Sequence, residues 1–320
     1  MKHLVGALTL LFFVAACGTP EQPANAEDAD SAAPANETAA AEVVDPAPTA
    51  TASLDAILAA QPDDMKARYV WRHPRETLEF FGVQPGQVVV EALPGDGWYT
   101  KILLPYLGTS GKLVGVNYPD TMWAKFGFMN EEQLAKIKTW ATDFTAGAQA
   151  WRGDTGAPVD AFVFGALPEA MRGTADSVLL IRALHNLARF ENDGAFLTAA
   201  LADVHAVLKP GGIVGIVQHE ARADMPDEWA NGNAGYLKRS YVIEKMQAAG
   251  FELVDQAEFN QNPNDKPTTE DFVWRLPPNY RTSGDDAGKK AAMDAMGESN
   301  RMTLKFRKLP VPTDQTPPVS

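Results

Sequence analysis

Two groups of residues in this chain have the types and spacing to do chemistry. The first is an acid beside a glycine turn: Glu91 stands near the end of the apolar run Val88–Ala92, and Gly95 and Gly97 follow in "LPGDGWYTK". Glycine takes positive φ and lets a ligand come close to the backbone. A helix starting just after such a turn presents free N–H groups. That layout cradles nucleotide-like cofactors. The second group pairs an imidazole with a polar neighbour: His185-Asn186 in "RALHNL" and His219-Glu220 in "VQHEA". Each pair follows an apolar run that reads as a strand, and in open α/β sheets ligands bind at the carboxyl ends of strands. A histidine there can take a proton from a substrate. His185, His219 and Glu220 would also make a two-histidine, one-carboxylate metal set.

The elements that must position these residues alternate. Apolar runs predict strands at Val88–Ala92, Lys112–Val116, Val159–Phe164, Ser177–Ala183, Ile213–Val217, Phe251–Asp255 and Met302–Phe306. Helical patterns lie between them: Trp98–Leu107, Glu131–Ala146 with Gly147 as its stop, Asp193–Leu208 ended by "KPGG", and Val242–Ala249. In Asp193–Leu208, Leu197, Leu201, Val204 and Leu208 recur on one face. Ser53–Ala60, capped by Ser53, and "HPRETLEFFG", with Pro74 in its first turn, precede the first strand. The βαβα order implies a mainly parallel sheet with helices on both faces. Residues 257–300 are too long for a plain loop and are expected to cover one edge of a site.

The two ends of the chain have a different texture. Leu4–Ala16 is apolar after Lys2 and His3, and at 13 residues it is too short to cross a bilayer but suits a signal-peptide core. It ends in "VAAC", which resembles the lipobox of bacterial lipoproteins. The resemblance implies cleavage before Cys17, the only cysteine, and lipidation of its thiol. Gly18 rather than Asp in the next position leans towards the outer membrane. Gly18–Ala52 then carries seven acidic residues, five prolines and no Lys or Arg. Such a segment cannot bury enough apolar surface to offset its ordering entropy. It is expected to act as a flexible tether of about 30 Å. The expected organisation is a signal peptide at 1–16, a lipid-anchored linker at 17–52, one α/β domain at 53–308 and a proline-rich tail at 309–320. The net charge of −13 and the absence of a basic cluster exclude nucleic acid as an expected partner.

Taken together, "VVEALPGDGWYTKILLPYL", "DSVLLIRALHNL", "LKPGGIVGIVQHEA", "MQAAGFELVDQ" and "GESNRMTLKF" resemble the class I S-adenosylmethionine-dependent methyltransferases, in particular a bacterial group that is often exported. The resemblance covers most of residues 65–308. It implies a Rossmann-like, doubly wound sheet of seven strands in the order 3-2-1-4-5-7-6, with strand 7 antiparallel. It implies S-adenosylmethionine as cofactor, held by Glu91, Gly95, Gly97 and Asn117. It also implies a small-molecule acceptor, with His185 as base and Asn186 orienting it or the substrate. His219 and Glu220 come second.

The sequence departs from the family at three places. Leu93 stands in the first glycine place. Asn117, with Asp120 nearby, stands where an acid takes the ribose hydroxyls. Ala166 stands where an acid reads the adenine amine. A nicotinamide dinucleotide site is a poorer match, since Thr100 replaces the third glycine and Asn117 the ribose acid. A lipoprotein that kept the fold as a ligand-binding module without the chemistry is the alternative. His205 is expected in solvent. His73 is expected to cap the helix after it, with "RHP" near the mouth of the site.

Overall fold

The computed structural model of the chain describes residues 53–310. The expected signal peptide at 1–16, Cys17 with the linker at 17–52, and the tail beyond 310 lie outside the described residues.

The sheet contains β1 (Val88–Ala92), β2 (Lys112–Asn117), β3 (Val159–Val163), β4 (Ala175–Ile181), β5 (Leu208–Ala221), β6 (Leu237–Lys238), β7 (Phe251–Ala257) and β8 (Arg301–Lys308). Its order is β3-β2-β1-β4-β5-β8-β7, with β6 paired to β5 off that path. β8 is antiparallel to both neighbours, and the ladders from β3 to β5 are parallel. The seven expected strands therefore fall in the expected order. Leu237–Lys238 adds an eighth, of two residues, too short to carry a hydrophobic pattern.

Successive strand residues point to opposite faces, and this chain fills both. Val89, Leu113 and Leu179 join one core, with the helices Pro74–Phe81, Thr100–Leu107 and Trp140–Arg152. Val90, Val114, Val178 and Leu180 join the other, with the helices Leu184–Arg189, Phe196–Val207 and Arg239–Ala248. A sheet covered on both faces reads as continuous apolar runs, which is why the strands were legible.

Element boundaries differ from expectation for local reasons. Glu131–Ala146 is two helices, Glu131–Lys138 and Trp140–Arg152. Asn130 and Gln133 form a capping box for the first, and Thr139 breaks the run. Gly147 lies inside the second helix, because the buried stripe Phe144–Ala148 continues past it and the space beside Gly147 is open. The helix expected from Asp193 starts at Phe196, where the Glu191 carboxylate accepts from the backbone N–H of Leu197 at 2.7 Å and Thr198 at 3.1 Å. "KPGG" belongs to β5, which begins at Leu208.

Candidate functional site

The carboxyl ends of β1, β2, β4 and β5 open onto a cavity of about 250 Å³. Leu93 lines it after β1, Tyr118 and Trp123 after β2, Ile181, Arg182, His185 and Asn186 at the exit of β4, and His219 in β5. The insertion supplies the remaining wall through Val273–Trp274, Leu276–Asn279 and Glu298–Ser299, with Arg301 at the start of β8. It is tied down by Arg275, whose guanidinium donates to Asp265 at 2.9 Å and to the hydroxyl of Tyr236 at 3.1 Å, beside β6. The expectation that residues 257–300 cover one edge of a site agrees with this arrangement.

The exit of β4 brings a buried imidazole to the cavity. Arg182 has φ 58°, a left-handed turn that ends the strand. Leu184–Arg189 then coils into a helix that buries His185. The side-chain amide of Gln218 donates to the carbonyls of Gly235 at 3.0 Å and His219 at 3.3 Å. Its oxygen is thereby turned to His185 Nδ1, 3.4 Å away. Nδ1 must carry the proton, and Nε2 is left with its lone pair. Burial pushes His185 down to about 4, helped by the charges of Arg182 and Arg189 and opposed by Gln218. His219 lies with its ring centre 5.4 Å from that of His185 and its Nδ1 2.6 Å from Ser299 Oγ. It is also held well below its ordinary value, by burial first and then by His185, Arg301 and Arg182. Both imidazoles are neutral at pH 7. The side-chain oxygen of Asn186 is buried and accepts no hydrogen bond among the described residues. Glu220 does not join the two histidines: it is engaged by Arg239 at 2.7 and 2.9 Å.

The residues expected to read a cofactor are placed differently. Glu91 is buried, accepts from Thr100 Oγ1 at 2.6 Å, and is pushed up to about 7 by burial against that hydrogen bond. Gly95 is exposed with φ 56°. Gly97 has φ 77°, and a Cβ there would lie 2.5 Å from the ring of Trp151. The close approach that this glycine permits is to the protein's own indole. Asn117 is buried, and its side-chain oxygen accepts from Tyr118 N at 2.8 Å and Trp123 Nε1 at 3.3 Å. None of these four lines the cavity. From the glycine loop it is Leu93 that lines it, with φ 55° in the first glycine place. Tyr118 donates its hydroxyl to the carbonyl of Ala183, linking the exits of β2 and β4 across β1.

Sequence reading missed a cluster of arginines that includes part of this wall. Glu298, 1% exposed, accepts from Arg68 Nε at 2.7 Å, from Arg72 Nε at 3.1 Å and from Arg301. Burial would raise the Glu298 carboxyl, but Arg301, Arg72, Arg182 and Arg68 outweigh it and hold it at about 2. The motif "RHP" was a usable signal, misassigned to its histidine. His73 makes no side-chain cap and lies against Phe259, whereas Arg72 joins the cluster. His205, expected in solvent, is half-buried against Phe251.

The strand order, with its one strand antiparallel to both neighbours, is that of the methyltransferase-like α/β fold. No protein-family model matches the chain, and no curated protein matches it. Among solved structures it resembles a SAM-dependent methyltransferase from Aquifex aeolicus, at 14% identity over 78% of this chain and 99% of that one, TM-score 0.44. It resembles the cyclase SpnF at 19% identity over 74% and 80%, TM-score 0.44. It also resembles an arsenic(III) S-adenosylmethionine methyltransferase from Chlamydomonas reinhardtii, at 16% identity over 83% and 76%, TM-score 0.41. None of these likenesses bears on reaction or substrate.

Proposed function

We propose that this domain binds S-adenosylmethionine in the cavity and transfers a methyl group to a small-molecule acceptor. The observation that carries the reading is the buried side-chain oxygen of Asn186, which lacks a donor on the cavity wall between the β4 exit and the aromatic residues after β2. A buried polar atom without a partner is costly. The ammonium of an amino-acid-like group would supply the missing donor. Tyr118 and Trp123 offer the rings beside which a purine packs. When bound, the cofactor supplies an electrophilic methyl on a sulfonium. Asn186 would hold its amino end, and Leu93 and Tyr118 would wall it from water. His185 takes up the acceptor's proton at Nε2, the nitrogen left free by Gln218. Its low basicity suits an acceptor whose proton is already acidic.

A second reading is the ligand-binding module without turnover. It is favoured by Glu91 and Asn117: one Glu91 oxygen accepts from Thr100, and the Asn117 side-chain oxygen already accepts from Tyr118 N and Trp123 Nε1. Calorimetric titration of the full chain with S-adenosylhomocysteine, repeated on Asn186→Leu, tests the first reading. Binding that Asn186→Leu weakens supports it. No heat at high ligand concentration sinks it and leaves the second. The leader and "VAAC" support export and lipidation at Cys17, most simply on the periplasmic face of the outer membrane. Cys17→Ala should then move the protein from the membrane fraction to the soluble one, and unchanged partitioning would refute the anchor.

A further inference from the structure

We propose that Arg182 binds an anionic group, carboxylate or phosphate, on the acceptor substrate. The identity of that ligand as a methyl acceptor rests on the methyl-transfer reading above; the anion subsite itself does not.

Four arginines gather round one carboxylate. Arg68, Arg72 and Arg301 each make an ion pair with Glu298. Arg72 also lies over the ring of Trp98 at 4.7 Å, and Arg301 donates to the carbonyl of Trp71 at 3.1 Å. Arg182 is the member left over. Its side chain makes no ion pair and no hydrogen bond among the described residues, although the charges of Arg72, Arg301 and Glu298 all reach it. Glu298 has nothing to spare, since both its oxygens already accept from guanidiniums. Four cations against one anion leave a formal surplus of three, in a chain whose net charge is −13. A half-buried guanidinium stays charged at neutral pH, and keeping it unpaired beside like charges is unfavourable.

The cavity is where the missing anion would go. Arg182 lines it, together with Ser299 and Arg301 from the far wall. The guanidinium fork matches a carboxylate or phosphate with two parallel hydrogen bonds. The same wall carries His185, three residues on, whose basicity the charge of Arg182 depresses after burial. An anion seated on Arg182 would cancel that charge and raise His185 as the substrate arrives.

The cofactor's own amino-acid end also carries a carboxylate, so the test separates the two sources. The full chain and its Arg182→Gln variant are titrated with inorganic phosphate and, separately, with S-adenosylhomocysteine. Arg182→Lys, which keeps the charge and loses the fork, guards against a folding defect. The expected result is that Arg182→Gln weakens phosphate binding by about 10- to 100-fold, the value of a charge-assisted hydrogen bond, with Arg182→Lys between and S-adenosylhomocysteine within twofold of wild type. Phosphate should also move the His185 ring-proton titration upwards in wild type and not in Arg182→Gln. A parallel loss of S-adenosylhomocysteine would assign Arg182 to the cofactor and overturn the proposal. Phosphate binding unchanged by Arg182→Gln, or absent from wild type, would overturn it too. Phosphate bound through Arg182 with no S-adenosylhomocysteine binding would uphold the anion subsite and sink the methyl-transfer reading alone.

Discussion

Glu298→Gln tests whether one carboxylate holds the arginine cluster together. The side chain is 1% exposed and accepts from Arg68, Arg72 and Arg301. Its ordinary value is 4.5 and the arginines hold it at about 2. At about 1.4 kcal/mol per pH unit of displacement, the ionised carboxylate contributes about 3 kcal/mol to folding. The folded value lies below the unfolded one. The contribution is therefore complete above pH 4.5, declines as pH falls through the interval, and is gone near pH 2. Glutamine removes it at every pH and leaves three guanidiniums without their counter-charge. Breaking a buried pair in this way costs about 3–5 kcal/mol. Urea denaturation followed by tryptophan fluorescence should show a loss of that size at pH 7. Between pH 4.5 and pH 2 the wild type should lose about 3 kcal/mol more than the variant. A loss at pH 7 below about 1 kcal/mol, the worth of an exposed pair, would refute the reasoning. So would parallel stability curves for the two proteins across that interval.

Other perturbations read separate parts of the structure. Glu91 has its ordinary value of 4.5 raised to about 7 by burial, so stability is fullest below 4.5 and falls as pH rises through 7. Glu91→Gln, which cannot ionise, should exceed wild type by up to about 3 kcal/mol at pH 8 and show no gain at pH 4, measured by denaturation at both pH values. Gly97→Ala should cost about 1–3 kcal/mol from positive φ alone, and more from the Trp151 ring 2.5 Å from the new Cβ. Adding Trp151→Ala should recover only the second part. The ring protons of His185 should titrate near 4, against an ordinary 6.5, in the ligand-free chain; an NMR midpoint near 6.5 would show a solvated imidazole. Leu93→Gly should relieve the strained φ of 55° but remove a side chain that walls the cavity, so S-adenosylhomocysteine should bind more weakly in calorimetry, and unchanged affinity would contradict that role.

The fold was legible because strand burial on both faces writes itself as apolar runs. Val88–Ala92 and Ser177–Ala183 could hardly be anything else, and "MTLKF" sits within the antiparallel β8. Helix limits were less legible because they depend on single polar atoms. The Glu191 carboxylate, six residues from the N–H it caps, moves one start from Asp193 to Phe196. His185, Asn186 and His219 were legible as candidates because they follow apolar runs directly, and the β4–β5 pairing brings them to one cavity. Tyr118 and Trp123 were equally visible in "VNYPDTMW", but attention to Asn117 as a ribose reader passed over the rings beside it.

The arginine cluster was hidden for a different reason. Its members come from the helix Tyr69–Arg72 and the residue before it, from the exit of β4, and from the end of the insertion. No periodicity connects residues 68, 72, 182, 298 and 301. They meet because the insertion returns to the sheet between β7 and β5 as the antiparallel β8. Arg301 pairs directly with His219 in that ladder, so the strand that closes the fold also brings Ser299 against His219 and Glu298 into the cavity wall. The polar wall of the cavity is thus a product of topology, and the glycine turn, which looked like the centre of the site in sequence, contributes only the side chain of Leu93. A ligand recognised here would be read chiefly by the β4 exit and the insertion. Substitutions in those two segments should therefore change ligand choice more than substitutions at Gly95 or Gly97, whose effects should fall on folding.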